Sequence, residues 1–391
     1  PPPYPPGLGQ VGQNLEGTNN FDHAGCEVSI NQAGTRVAVG SRGGDPPGKP
    51  DAGWVHVYDV SGPVGSEVWT QVGNRIDGEA LLDLSGYSVS LSASGSRVAI
   101  GAHENDKGTG LEYVEYGHVR VYELIGNTWT QMGADIDATL EGDWLGRSVD
   151  LSHDGTIVAV GASQYGFGDT NDGYARVLQW SGAAWVQMGS VIGTPDDAHP
   201  TEIAGDPPDR TGEAIGLSAD GLTVVVGSPY FFFWDNGAAR VLRYTGSDWV
   251  QLGETLYSLV TTPTQNRKFG SDVAISNDGH RIAVSAPGSH VGVWEWKRIG
   301  DAFQWVVLGA AITGSGDFGD AVAMSGDGNR VIIGSPSAGQ GQVQIYQYDV
   351  ARDTWDLVGA AMPGPQNNEG MGDSLDMDAT GDHIAVGSCH F

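Results

Sequence analysis

A glycine-marked pattern recurs seven times along this chain, and a repeat of that kind restricts the fold more than any property of composition. The copies open at Gly25, Gly86, Gly146, Gly212, Gly270, Gly319 and Gly372. A second glycine follows nine residues later in every copy: Gly34, Gly95, Gly155, Gly221, Gly279, Gly328 and Gly381. Fifteen residues after each opening position stand Gly40, Gly101, Gly161, Gly227, Ser285, Gly334 and Gly387, so that only Ser285 departs.

Between these glycines the chain alternates apolar and small polar residues, as in Ser88-Val89-Ser90-Leu91-Ser92, which predicts a short strand. Tight-turn sequences follow, such as His153-Asp154-Gly155 and Asn277-Asp278-Gly279. Asp-Gly between alternating segments predicts a hairpin, because glycine enters the positive-φ region without steric cost. A second strand then ends in Gly-Ala or Gly-Ser, small enough for close packing near a crowded axis. After a variable loop comes a third strand, exemplified by Gly117-His118-Val119-Arg120-Val121-Tyr122. The fourth carries a tryptophan four residues before a glycine, at Trp69, Trp129, Trp185, Trp249, Trp305 and Trp355. Four short antiparallel strands per unit, repeated radially, describe a propeller blade. The tryptophans then read as packing between blades, with carbohydrate stacking as the competing role.

The two ends suggest a closure. Leu8-Gly9-Gln10-Val11-Gly12 aligns with Trp69-Thr70-Gln71-Val72-Gly73 and reads as a fourth strand, while Gly372 to Ser388 supplies a first and a second. The expectation is therefore an all-β chain forming a seven-bladed β-propeller of four-stranded antiparallel blades, its last blade split between the N- and C-termini. Residues 1–7 form a Pro-rich lead suited to polyproline II, and residues 8–391 form a single propeller domain. The third strand of the split blade is missing. A chain trimmed from a longer polypeptide, a three-stranded blade, and a strand donated by another copy each account for this. Cys26 and Cys389 are the two cysteines, and propeller geometry places them on the same end of neighbouring blades. A ring-closing disulfide in an oxidising compartment is one reading and two unpaired thiols the other.

Composition excludes several functions. With 19 basic against 48 acidic residues the net charge is −29, and lysine occurs only at Lys49, Lys107, Lys268 and Lys297. Such a surface repels nucleic acid and anionic lipid. No apolar run is long enough to span a membrane, and no N-glycosylation sequon is present. The start at Pro1 without Met reads as a mature or trimmed product.

Phe318-Gly319-Asp320-Ala321-Val322 through Val331-Ile332-Ile333-Gly334-Ser335-Pro336 resembles an FG-GAP repeat, and Phe269-Gly270 with Ser285-Ala286-Pro287 repeats the signature. The variant with a Trp-x-Gln-x-Gly strand is the closest type. The resemblance implies a β-propeller, and the integrin α-subunit propellers of that family are adhesive and extracellular. Many members carry a calcium loop, Asp-x-Asp-x-Asp-Gly, between the first two strands. Here the corresponding Ser325-Gly326-Asp327-Gly328 is too short to wrap a cation with six or more oxygens. No cofactor and no metal site is therefore expected, apart from weak Ca2+ binding in acidic loops.

Propeller geometry sorts the connections onto two faces. The long segments Arg42 to Ala52, His103 to Tyr116, Ser163 to Asp172, Gly193 to Thr211 and Pro229 to Asn236 all fall on one, and the Asp-Gly turns on the other. Binding residues usually lie on such elaborated loops. Tyr230, Phe231, Phe232, Phe233 and Trp234 form an aromatic run that reads either as a patch for a partner or sugar or as a loop folded over a neighbouring blade. Asp196, Asp197, His199, Glu202, Asp206 and Asp209 carry metal-capable side chains, although surface acidic clusters are mostly solvated. No catalytic residue is assigned, because no histidine or cysteine stands in a nucleophile or zinc motif. The expected function is a non-enzymatic extracellular or cell-surface propeller, structural or adhesive, that works through protein–protein contacts or self-assembly into a fibre. The alternative is a lectin-like module binding carbohydrate on the long-loop face.

Overall fold

The computed structural model describes residues 9–19, 21–106, 115–163, 173–193, 209–231, 236–260, 268–365 and 370–389. In each complete unit four antiparallel strands follow one another from the centre outward, as in Ala24–Ile30, Arg36–Ser41, Trp54–Ser61 and Val68–Gln71. Five of the six complete sheets carry a further two-residue strand, such as Ile76–Asp77, paired with the same third strand. It continues the outer strand after an interruption at Gly73, whose φ is +72°.

The seven four-stranded blades expected from the repeat need correction. Among the described residues six sheets are complete, and the seventh has only Met371–Met377 paired with Ile384–Ser388. Residues 9–13 form no strand, because an outermost strand can pair only with a third strand, and none is present there among the described residues. The alignment of the N-terminus nevertheless has a physical counterpart. The Trp69 indole donates to the Val11 carbonyl at 2.7 Å, as Trp129 donates to Val72 at 3.0 Å in the next unit. The Gln13 side chain donates to the Trp69 carbonyl and accepts from its N–H, as the Asn74 side chain accepts from Trp129 N–H in the next unit.

The two-stranded sheet still closes the ring. Ala24–Ile30 packs against both Met371–Met377 and Ile384–Ser388. At the hairpin turns a chain of seven backbone hydrogen bonds runs around the axis. Gln32 N–H donates to Ala93, Ala93 to His153, His153 to Ala219, Ala219 to Asn277, Asn277 to Gly326, Gly326 to Ala379 and Ala379 back to Gln32, at 2.8–3.2 Å.

Neighbouring sheets hold together by three recurring devices. The first is apolar: Val119 and Val121 of one sheet meet Val149, Leu151, Val158 and Val160 of the next. Each such side chain contributes about 1.5–3 kcal/mol when buried. The phenylalanine of the Phe-Gly signature belongs here, since Phe269 and Phe318 are fully buried, Phe269 stacking on His290. The second is the tryptophan series. Trp185, Trp249, Trp305 and Trp355 donate to the carbonyls of Met132, Met188, Leu252 and Leu308 in the preceding sheet at 2.7–2.8 Å. The third is an arginine at the start of the second strand. Arg36 pairs with Asp59 in its own sheet and donates to the turn carbonyl Gly95 of the next; Arg97, Arg281 and Arg330 repeat the bridge to Asp154, Gly328 and Gly381.

Trp249→Phe is expected to cost about 1–2 kcal/mol, because the Met188 carbonyl loses its donor while the aromatic volume is largely kept. Chemical denaturation checks this, and an unchanged midpoint would remove the hydrogen bond from the account.

Candidate functional site

The first strands of all seven units line an axial channel with a cavity of about 560 Å³. Because each first strand is an inner edge, its outward N–H groups have no ladder partner, and side chains of the preceding unit supply one. Asp376 accepts from Ile30 N–H at 2.7 Å, Ser29 Oγ accepts from Leu91 N–H, and Ser90 Oγ accepts from Leu151 N–H. Asp150 accepts from Leu217 N–H and Asp272 from Val322 N–H, both at 2.7 Å. The three aspartates each also accept from the N–H of the following residue, Leu151, Val273 or Met377. They are braces between units rather than free carboxylates.

At one end the channel is narrowed by the ring of turns, and His153 Nε2 is hydrogen-bonded to Asn277 Oδ1 at 3.1 Å. The turn aspartates brace their own hairpins: Asp278 accepts from Ser276 Oγ and His280 N–H, and Asp327 from Ser325 Oγ and Asn329 N–H. The residue that a calcium loop would use as a ligand is thus engaged within its turn.

The other end lies on the elaborated face and is chemically different. There the residues just after the opening glycines include Tyr87, Arg147, Glu213, Asp320 and Asp373. Arg147 pairs with Glu213 at 2.6 Å and stacks over Tyr87 at 4.5 Å. Arg42 lies over the same ring at 5.3 Å and, among the described residues, makes no ion pair. Burial and the adjacent Arg147 lower its pKa. His103 packs against Tyr87 at 4.0 Å between ring centroids, and burial holds its pKa down at about 3. Just inside, burial and the facing Asp272 and Asp376 push Glu27 well above the ordinary carboxylate range, against the pull of Arg147.

Cys26 and Cys389 are joined by a disulfide at this mouth, their Cα atoms 4.4 Å apart. Of the aromatic run, Phe231 is buried, and Tyr230 lies under Arg210 at 4.7 Å and Lys268 at 5.3 Å. Phe232, Phe233 and Trp234 lie outside the described residues, as do Asp196, Asp197, His199, Glu202 and Asp206; Asp209 is buried. Glu79, His118 and Asp135 converge elsewhere, with His118 Nδ1 3.9 and 3.8 Å from the two carboxylates. Arg120 already supplies a positive charge there, 3.4 Å from Glu79. The mouth residues and the channel aspartates escaped sequence reasoning, although a signal existed. Tyr87, Arg147, Glu213, Asp320, Asp373, Glu27 and the three channel aspartates stand one, two or four positions after the opening glycines, where large or charged residues break an otherwise small and apolar pattern, whereas Arg42 and His103 each stand seventeen positions after theirs.

The channel predicts a pH dependence. Burial, only partly offset by the backbone donors, raises Asp150 and Asp272 to about 7 and Asp376 to about 6. Between about pH 4 and 7 the folded protein holds protons that the unfolded chain has lost, so stability falls as pH rises through that window. His103 and His118, held near 3 mainly by burial, act in the opposite sense between about 3 and 6.5. The carboxylates outnumber them, and the negative net charge grows in the same direction. A melting temperature several degrees lower at pH 8 than at pH 5, at constant ionic strength, is the expected result. A flat profile would show that these carboxyls are ionised throughout.

No family model and no curated protein sequence matches the chain. Solved structures do resemble it. Kuenenia stuttgartiensis hydrazine synthase aligns with a TM-score of 0.55 at 14% identity, over 97% of this chain and 99% of that one. The Myceliophteria thermophila Cps50 (Swd1) β-propeller domain aligns with a TM-score of 0.57 at 12% identity, over 93% and 97%. The Pseudomonas aeruginosa periplasmic gluconolactonase PpgL aligns with a TM-score of 0.57 at 14% identity, over 96% and 90%. At such identities the likeness carries the fold alone, and the fold it supports is the β-propeller.

Proposed function

We propose that this chain is a non-enzymatic, FG-GAP-type propeller module of an extracellular or cell-surface protein, acting through protein–protein contacts on its elaborated face. One observation carries the reading: the two ends of the channel differ in kind. The turn end is narrowed by a ring of backbone hydrogen bonds and self-braced hairpins, whereas the loop end presents Arg42, Tyr87 and Arg147 beside acidic Glu213, Asp320 and Asp373. A bipolar rim of this kind suits a polar protein surface of mixed charge. The channel carboxylates brace neighbouring strands, which argues against their use as a catalytic pair. The disulfide fits an oxidising compartment. Carbohydrate binding through the aromatic run has less support, because Phe231 is buried and cations cover Tyr230.

Negative-stain imaging and sedimentation over a concentration series test the reading in its self-assembling form. Ordered polymers that Arg42→Glu abolishes, and that the turn-face variant His280→Ala leaves intact, are expected. Monodisperse rings at all concentrations, together with glycan-array binding, would replace the proposal with the carbohydrate one.

A further inference from the structure

We propose that Glu79, His118 and Asp135 form a binding site for one divalent transition-metal ion of the zinc type, which ties the first unit of the propeller to the second. The site lies apart from the channel mouth and does not depend on the function proposed there.

His118 opens the third strand of the second unit, His118–Ile125, and its side chain is 1% exposed. Nε2 is buried without a hydrogen-bond partner among the described residues. Nδ1 faces Glu79 Oε2 at 3.9 Å and Asp135 Oδ2 at 3.8 Å, too far for hydrogen bonds. Burial and the nearby Arg120 keep the ring neutral, so it forms no ion pair with these carboxylates. Buried polar groups are normally bonded, and a metal ion on the Nδ1 lone pair would satisfy this one. Equivalent places in other units are filled from within the protein. His290, which opens the third strand of the fifth unit, accepts from Leu259 N–H through Nε2 at 3.2 Å, and its Nδ1 lies 3.1 Å from Ser289 Oγ. In the first unit Arg75 lies over the Trp54 ring at 4.0 Å. Arg75 precedes Ile76–Asp77 as Asp135 precedes Ile136–Asp137, and only the second unit has a histidine and a carboxylate at these two positions.

Both carboxylates have one oxygen held and the other turned to His118. Arg120 Nη1 lies 3.4 Å from Glu79 Oε1, which leaves Oε2 toward the ring. Gln131 Nε2 donates to Asp135 Oδ1 at 2.6 Å, which leaves Oδ2. Outer donors of this kind orient a carboxylate that binds a metal. The backbone of Glu79 is fixed as well, because Asp83 accepts from the N–H groups of Glu79 and Ala80 at 3.1 and 2.7 Å. Arg120 offsets one of the two negative charges. Among the described residues no Lys or Arg pairs with Asp135, so the cluster still favours a cation.

The donor set selects the ion. An imidazole nitrogen beside two carboxylates suits zinc and its neighbours, whereas calcium takes six to eight oxygens and magnesium an octahedron of them. The three donor atoms lie within 4.8 Å of one another. Zinc ligands at about 2.0–2.2 Å in tetrahedral directions stand about 3.4 Å apart, so the cluster needs to close by about half an ångström. The Glu79 side chain, 44% exposed, has room to supply that movement. Its exposure also leaves the fourth position to water. Glu79 follows Ile76–Asp77 of the first sheet, while His118 and Asp135 belong to the second, so the bound ion is a cross-link between units.

Calorimetric titration of Zn2+ into the full chain, stripped beforehand with a chelator, should show one saturable site, and the melting temperature should rise at saturation. Ca2+ and Mg2+ at the same concentration should do neither. Co2+ in place of Zn2+ should give the visible absorption of a four-coordinate nitrogen–oxygen site. Glu79→Gln and Asp135→Asn should each weaken zinc binding by about tenfold or more and remove most of the thermal gain. His280→Ala, which deletes an exposed histidine beside Asp278, should change neither. The metal comparison and the cobalt spectrum use the unaltered chain, so the test does not depend on how the variants fold. Absence of a saturable zinc site, undiminished binding in the Glu79→Gln, Asp135→Asn double variant, or loss of binding in His280→Ala would overturn the proposal. Zinc that binds without raising the melting temperature would overturn the cross-link.

Discussion

Reduction of the Cys26–Cys389 disulfide is expected to lower the stability of the folded ring by about 3–5 kcal/mol. The bond joins residues 363 positions apart, so it restricts nearly the whole unfolded chain. It also ties the first strand of the first unit to the incomplete seventh sheet. That seam otherwise depends on the Asp376 brace to Ile30, on the backbone bonds through Gln32 and Ala379, and on the contact of Gly387 with Gly25. These remain after reduction, so the reduced protein should keep its sheets but open more readily at one seam. Denaturant melts with and without reductant give the energy, and hydrogen exchange at residues 24–30 and 384–388 locates the loss. Coincident melts, or two alkylatable thiols in native unreduced protein, would sink the prediction.

Gly161→Ala should be at least as damaging as loss of a core side chain, at about 3 kcal/mol or more. A Cβ at this position would sit 2.1 Å from the Gly212 carbonyl oxygen of the next unit and 2.3 Å from Ser148 Oγ. The nearer atom is backbone, so relief requires the two sheets to move apart, which loosens the apolar layer between them. The chain contains its own control. Ser285 stands at the same position of the fifth unit, and there the Cβ of a substituted Gly319 would lie 3.7 Å from Ser285 Cβ, an ordinary contact. Ser285→Gly creates no such clash and should cost only about 1–2 kcal/mol, through loss of the hydroxyl that accepts from Asp272 N–H at 3.0 Å. Paired denaturation curves decide the matter, and equal effects of the two substitutions would show that close approach of glycine to carbonyl is not what sets the spacing.

Much of the architecture is readable before any coordinates. The hairpin glycines sit at φ between +66° and +74°, as the Asp-Gly turns require. The Trp-x-Gln-x-Gly strand is readable as an inter-blade device, since a Cβ at Gly73 would meet the Trp129 ring at 2.7 Å. Local rules do not extend to the seventh sheet. Leu8 to Gly12 matches the fourth-strand pattern, yet strand formation there needs a third strand beside it, and sequence similarity cannot provide a hydrogen-bonding partner. The arginine bridges were equally hidden, because Arg36 and Gly95 are 59 residues apart and belong to different units.

The repeat, its period of turns and its class of fold are legible in the chain alone, because strand alternation and positive-φ glycines are local properties of the backbone. How many sheets are complete among the described residues, which carboxylates serve as braces, and where Arg42, Tyr87 and Arg147 meet emerge from the three-dimensional arrangement. Those are consequences of bending seven units around one axis, which brings together residues that no spacing along the chain relates.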